Sequence, residues 1–469
     1  MTDHPHWPSS SDSASVATRI LITDDQSNFT YYGVRGNSYG TRTEYTIIKY
    51  YAELDRKIKP TMAGSANLSY LYIPNSSNTF DSKHHAIQRF NSDATAQGPV
   101  MPATSSSSSS SSTDYATYPL EKRNGRTYLR DPDNPYPLPC DLAEIHRQSL
   151  RSLILMQVFG APFCTPHFVD HPPKRVLELA CGSGLWSNAC HDYFAQRGHK
   201  NISFIGLDIV NLAPDLQKQG MNWHFKRHDL RKPKLPFPDG YFDFVFIKDA
   251  GICPSGSEMQ TLPLGEPLRV LKSGGVLEVW DSDLIYRTLL PNPPRAPGLS
   301  GGNVEQAEAT GTYTIFPATP FADVQNKYLR DYNSWTQKAF ERRKLSPMPC
   351  AIIGLSFTSE SESFLSVDSR RIAIPLGEVR WEREAQGNPS NDWEQRKALS
   401  LEQLALRQTA LVTIVQMIES MEPMLMEASG KGRDEWDRWW TGMTTDLLQK
   451  GGAASGECLE IGAWWGQKR

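Results

Sequence analysis

The stretch Arg175-Val176-Leu177-Glu178-Leu179-Ala180-Cys181-Gly182-Ser183-Gly184 decides the fold. A short apolar run, a glycine-bearing turn, and a helical pattern from Leu185 to about Ala195 predict strand, tight turn and helix. Glycines at 182 and 184 permit backbone angles and a close approach that a Cβ would block. The N-terminus of the following helix brings partial positive charge beside a carboxylate or phosphate. Taken alone, the segment predicts an anion-receiving turn, because glycine turns also serve simply to pack a helix on a sheet.

Downstream, short apolar runs alternate with helical stretches. Strands are expected at Ser203–Ile209, Trp223–His228, Phe242–Ile247 and Gly275–Val279, with later ones at Arg371–Pro375 and Cys458–Trp465. Strands separated by helices imply right-handed βαβ units. The expected fold is therefore α/β, a doubly wound, Rossmann-like, seven-stranded sheet.

The strand ends give the turn a ligand. Asp208 closes the second strand, where a carboxylate meets the ribose diol of an adenosine. Asp229 and the amide of Leu230 follow the third strand and can read an adenine edge. Lys248 and Asp249 end the fourth strand, at the mouth of the crevice where open sheets bind ligands. Glu178 can order the turn through Ala180, Gly182 and Gly184, and can lie near a cationic ligand end. These features favour S-adenosylmethionine as cofactor. The competing nicotinamide fingerprint wants a third glycine where Ser187 stands.

Residues 1–115 are rich in Ser, Thr, Asn and Gly and run into an octaserine, Ser105–Ser112, which predicts a mostly disordered extension. Within it, Thr43–Leu54 could form one local element. Residues 116–170 form a capping segment and helix: Pro135–Pro139 is rigid, Asp141 is placed as N-cap, and Glu144 completes a capping box. Leu142, Ile145, Leu150, Leu153, Ile154 and Val158 then hold one face until Gly160 and Pro162. Residues 171–469 are the main domain, with 284–353 expected as an insertion covering the site. That insertion holds an aromatic helical segment, Val324–Arg343, and Tyr313, Phe316, Phe321, Tyr328, Tyr332 and Trp335 suit either an acceptor pocket or the core. A long helix from Leu401 to about Ala428 carries Met417, Met421, Met424 and Met426, read as core. A Trp-rich helix, Asp434–Leu448, follows.

The 469 residues are 39% hydrophobic, enough for a sizeable core. Lys+Arg at 49 against Asp+Glu at 52 gives a charge of -3, which argues against nucleic acid as partner. Seven scattered cysteines without a CxxC spacing suggest reduced thiols in cytoplasm or nucleus and give no metal motif. No run is long enough to cross a bilayer.

Glu178–Gly184, Asp208, Asp229 and Val270-Leu271-Lys272-Ser273-Gly274-Gly275 resemble the consecutive motifs of class I methyltransferases, with Ala180 where the first motif glycine is expected. Gly125-Arg126-Thr127-Tyr128, Tyr136-Pro137-Leu138-Pro139 with Asp141, Glu144 and Arg147, and Ile374-Pro375-Leu376-Gly377 narrow the resemblance to the LaeA-type proteins of filamentous fungi. The resemblance implies an enzyme methylating a small-molecule acceptor, with a place in secondary metabolism. It equally accommodates a regulator with little turnover that docks a protein partner through its N-terminal extension, or a protein methyltransferase.

Methyl transfer is an in-line displacement and needs no obligatory catalytic side chain. For a hydroxyl or acid acceptor, Asp249, Asp281, Asp283 and His146 are the candidate bases.

Overall fold

The computed structural model describes residues 21–22, 29–30, 120–130, 136–232, 234–253, 263–298, 300–382, 398–449 and 451–469. The chain divides into two compact units, residues 1–44 with 64–118 and residues 45–63 with 119–469. In the first, β1 (Leu21–Ile22) pairs antiparallel with β2 (Phe29–Thr30). The octaserine and the Thr43–Leu54 element lie outside the described residues.

The second unit opens with a hairpin, β3 (Leu120–Arg123) and β4 (Arg126–Leu129). Helix α1 (Leu142–Phe159) follows, capped at Asp141, whose side chain accepts from the Glu144 amide. It stops at Gly160, whose φ of 84° is the left-handed conformation that glycine adopts without a Cβ penalty. After α2 (His167–Asp170), the strands and helices alternate: β5 (Arg175–Leu179), α3 (Leu185–Gln196), β6 (Ser203–Asp208), β7 (Trp223–Arg227), β8 (Phe242–Lys248), α4 (Gly265–Val270) and β9 (Leu271–Ser282). Then come β10 (Arg287–Leu289), α5 (Gly301–Thr310), β11 (Tyr313–Ile315), β12 (Phe321–Asp323), α6 (Lys327–Arg342), α7 (Pro349–Ser359) and β13 (Phe364–Pro375). Helices α8 (Leu401–Ser420), α9 (Glu422–Ser429) and α10 (Arg433–Thr444) precede β14 (Glu457–Lys468).

These strands build one sheet in the order β11-β13-β14-β9-β8-β5-β6-β7, with β10 and β12 attached beside β14. The five strands from β9 to β7 are parallel, and β14 enters antiparallel between β9 and β13. This is the doubly wound α/β sheet expected from the sequence, with ten strands where seven were expected.

The central strands are apolar on both faces, as a sheet covered by helices on both sides requires. In β8, Phe244 and Phe246 face one core, where Trp186 of α3 stacks on Phe246 at 3.7 Å, while Val245 and Ile247 face the other. Helices α1 and α8 lie in the first core, and α7 lies in the second.

Four expectations change in extent. The strand at Arg371–Pro375 begins seven residues earlier, at Phe364, because its first half pairs with the long β14. The helix expected from Leu401 to Ala428 breaks at Met421, since Pro423 in the first turn of α9 cannot continue α8. The Trp-rich helix ends at Thr444 and passes into a π turn, Thr445–Gln449. Residues 284–353 do more than lie over the sheet: they contribute β10, β11 and β12 to it.

Candidate functional site

The glycine turn is built by three strand ends. Gly182 has φ 50° and Gly184 φ 71°, and Ala180 shares the left-handed region at φ 54°. Glu178, buried on β5, reaches past the turn: its Oε2 accepts from the Ser187 amide (3.2 Å) and hydroxyl (2.5 Å), locking the first turn of α3. Burial raises its pKa to about 7 despite those bonds. Glu178 therefore orders the turn, as its position suggested, and does so through Ser187, the residue that excludes the dinucleotide fingerprint.

Asp208 at the end of β6 ties the turn from the other side. Its Oδ2 accepts from the Gly182 amide at 2.8 Å and its Oδ1 from Ile209 at 2.7 Å. Burial raises its pKa, against the lowering by these amides. The Val210 backbone amide bonds the carboxylate as well, so of its about four acceptor positions one remains. At Gly184 a Cβ would come within 3.3 Å of Leu216 Cδ1, and at Gly182 within 3.5 Å of Gln148 Oε1 on α1. At residue 182 it is the left-handed φ of 50°, rather than lack of space, that favours glycine.

Asp229 lies beyond the end of β7 as expected, and its carboxylate is gripped by Arg231 through Nε and Nη2 at 2.8 to 3.2 Å. Its pKa is lowered: these bonds outweigh the desolvation that pushes it up. The amide of Leu230 has no hydrogen-bond partner among the described residues.

A second assembly stands at the ends of β8 and β9. Asp249, in the left-handed conformation at φ 54°, accepts from Arg151 Nε and Nη2 (3.0 and 2.8 Å) and from Lys248 Nζ (2.6 Å). Desolvation raises its pKa, but the two cations hold it well below the usual carboxylate range. Arg151 also donates to Ser282 Oγ at 2.6 Å. One helical turn earlier, Arg147 forks onto Glu144 (2.9 and 2.6 Å), and Glu144 also accepts from Gln148 and from Ser420 of α8. Two ion pairs thus stand one turn apart on α1, one tied to Ser420 of α8 and the other to the strand ends.

The remaining base candidates separate. Asp281 accepts from the Gly251 amide (2.9 Å) and from Ser282 (2.8 Å), and its pKa is raised by burial and by the neighbouring Asp249 charge. Asp283 accepts from the Cys350 amide at the start of α7, and burial with nearby Glu460 raises it to about 6. His146 is half-buried on α1, and burial lowers its pKa.

Sequence reasoning did not single out Arg151, Ser282 or Gln148. The detectable signal was Arg147 and Arg151 four apart on an otherwise apolar helix face, a spacing that aligns them. The aromatic residues of 284–353 mostly serve packing: Tyr332 stacks on Tyr286, Trp335 packs at a tilt against Trp436 and Trp439, and the Tyr313 hydroxyl donates to Glu382. Met417, Met421 and Met424 are buried in the core. All seven cysteines are free thiols. Among the described residues, no helix is long and apolar enough to cross a membrane.

Residues 176–275 match the family described as "Methyltransferase domain". Over 109 residues the chain is 30% identical to the ubiquinone/menaquinone biosynthesis C-methyltransferase UbiE of Vibrio vulnificus, a match spanning 23% of this chain and 41% of that one. It is 31% identical over 101 residues to the secondary metabolism regulator laeA of Aspergillus niger, covering 20% and 23% of the two chains. With the regulator LAE1 of Pyricularia oryzae the identity is 34% over 98 residues, covering 21% and 29%. The chain thus spans less than half the length of these relatives. Among solved structures, it is similar to the plantazolicin methyltransferase BpumL in complex with SAH (TM-score 0.31, 10% identity, 70% of this chain and 88% of that one). The match to Haemonchus contortus phospholethanolamine N-methyltransferase 2 has a TM-score of 0.29 and 11% identity, over 71% of this chain and 61% of that one. The match to the methyltransferase domain takes in the glycine turn and the strand-end carboxylates Asp208 and Asp229.

Proposed function

We propose that the chain is an S-adenosylmethionine-dependent methyltransferase acting on a small-molecule acceptor, with a role in secondary metabolism. The observation that carries it is Asp208, whose carboxylate holds the Gly182 amide and keeps one further acceptor position beside an open glycine turn. Asp208 would take a ribose hydroxyl, the Leu230 amide beside Asp229 the adenine edge, and the turn from Ala180 to Gly184 the methionine end, with Glu178 holding the turn and Lys248 at the crevice mouth. The bound cofactor supplies an activated methyl on a sulfonium. The chain's own part is to align the acceptor with that methyl and exclude water. Asp281 is the favoured base, because its pKa is raised toward the operating range while Asp249 is held ionised by two cations.

A second reading, a regulator with little turnover, is favoured by one observation: Arg151 bridges Asp249 and Ser282 across the strand ends where an acceptor would dock. The laeA match agrees with it. Docking of a partner through residues 1–115 belongs to this reading, while protein methylation stands as a separate alternative and a cytoplasmic or nuclear location is expected under each, all from the sequence alone.

The deciding experiment compares metabolite profiles of cells with and without the gene. A single methylated product that disappears with the gene is expected. Broad transcriptional change without any missing methyl product would overturn the enzyme in favour of the regulator.

A further inference from the structure

Glu144, Arg147, Gln148 and Arg151 fall at i, i+3, i+4 and i+7 along α1, so they share one helical face. Arg151 reaches from that face to the ends of β8 and β9. Gln148 reaches the other half of the crevice. Its Oε1 stands 3.5 Å from the place a Cβ on Gly182 would take, beside the turn between β5 and α3.

Glu144 sets the direction of that amide. Its fully buried carboxylate takes four donors: Arg147 Nε and Nη2 at 2.9 and 2.6 Å, Ser420 Oγ at 2.7 Å and Gln148 Nε2 at 3.0 Å. These fill the about four acceptor positions a carboxylate has. An ionised carboxylate only accepts, so the NH2 group of Gln148 has to face Glu144 and the oxygen has to face the turn. That oxygen has no hydrogen-bond partner among the described residues. The carboxylates of the crevice are spent by comparison, Glu178 on Ser187, Asp208 on backbone amides, and Asp249 on Arg151 and Lys248. Stability alone is a weak reason for the Glu144–Arg147 pair, since buried ion pairs do no better than apolar packing of the same volume.

We infer that Gln148 reads the cofactor: its Oε1 accepts from the α-ammonium at the methionine end of S-adenosylmethionine, and the Glu144–Arg147 pair, tied to Ser420 of α8, keeps it aimed. The inference rests on the methyltransferase reading and adds a cofactor contact from α1, outside the matched residues 176–275. The methionine end carries one carboxylate and one ammonium. Amides of the turn and of the α3 N-terminus suit the carboxylate. An amide oxygen suits only a donor, and at that end of the ligand the ammonium is the only one. A hydrogen bond from a charged donor is roughly twice as strong as a neutral one, so Gln148 favours ligands that keep the amine.

The test titrates the full-length protein, wild type and Gln148→Met, with S-adenosylhomocysteine and with its desamino analogue, which keeps the carboxylate and lacks only the amine. Wild type is expected to bind S-adenosylhomocysteine about tenfold or more tightly than the analogue. Gln148→Met is expected to lose most of that preference while binding the analogue as wild type does. A residue that only packs α1 would weaken both ligands alike and leave the preference intact, and that result overturns the inference. Should the variant not fold, the side-chain amide ¹⁵N signal of Gln148 in the wild type provides the readout: S-adenosylhomocysteine is expected to shift it and the analogue to leave it in place, and equal shifts overturn the inference. Equal affinity of the wild type for the two ligands overturns it without any variant. Failure of S-adenosylhomocysteine to bind the wild type is a separate outcome, which overturns the methyltransferase reading and this inference with it.

Discussion

The two halves of the crevice are built by different means. The half formed by β5, β6 and β7 presents mostly backbone: a glycine turn, amides held by Asp208, and the Leu230 amide. The half at the ends of β8 and β9 presents side chains, with Arg151 from α1 meeting Asp249 and Ser282, 98 and 131 residues away, and Lys248 joining Asp249. A backbone site is fixed by local sequence, whereas a side-chain site is fixed only once the fold brings distant residues together.

The largest expected effect breaks the side-chain half. Arg151→Ala leaves the half-buried Asp249 with Lys248 alone, and losing hydrogen bonds to a charged group costs about 1.5–3 kcal/mol. Denaturant unfolding of the variant should show this loss. A loss below about 1 kcal/mol would mean that the pair is effectively solvated and that the two halves are more alike than described.

Next comes the backbone half. Gly182→Val forces a β-branched residue to φ 50°, with its Cβ 3.5 Å from Gln148 Oε1. Strain of about 1–3 kcal/mol is expected, together with loss of cofactor binding in a chain that still folds. Asp208→Ala should weaken the cofactor without the strain, by about 1.5–3 kcal/mol for lost hydrogen bonds to a charged group. Equal cofactor affinity in wild type and Asp208→Ala would remove the ribose role.

A pH experiment separates Glu178 from both. Its folded pKa, raised to about 7, lies above an unfolded value of about 4.3. The folded state therefore holds the proton longer, and this contribution is fully present below about pH 4 and is lost as pH rises through about 7. Glu178→Gln should flatten that part of the stability profile between pH 5 and 8. An unchanged slope would show that Glu178 is ionised throughout. Smallest of all, Arg342→Ala removes an exposed pair with Glu427 on the far helices and should cost no more than about 0.5 kcal/mol.

Much of the backbone half was legible in the sequence. Glu178, Gly182, Gly184 and Asp208 sit at fixed offsets from strand ends, and alternation of apolar runs places those ends within a residue or two. The α1 helix was legible too, because Asp141 and Gly160 are local caps, but the capping box expected at Glu144 does not close, since its carboxylate is held by Arg147, Gln148 and Ser420. Arg151 was hidden because its function lies in Asp249, 98 positions away. The break at Met421 was masked by continuous apolar spacing across Pro423. The full length of β13 was obscured because Leu365, Ser366, Val367 and Asp368 are exposed and carry no core pattern of their own.

Calorimetric titration of the full-length protein with S-adenosylmethionine, beside Gly182→Val, tests the central claim most directly. The account predicts one saturable site in the wild type and none in the variant, with both chains folded. No binding to the wild type at millimolar ligand, or unchanged affinity in the variant, would contradict it.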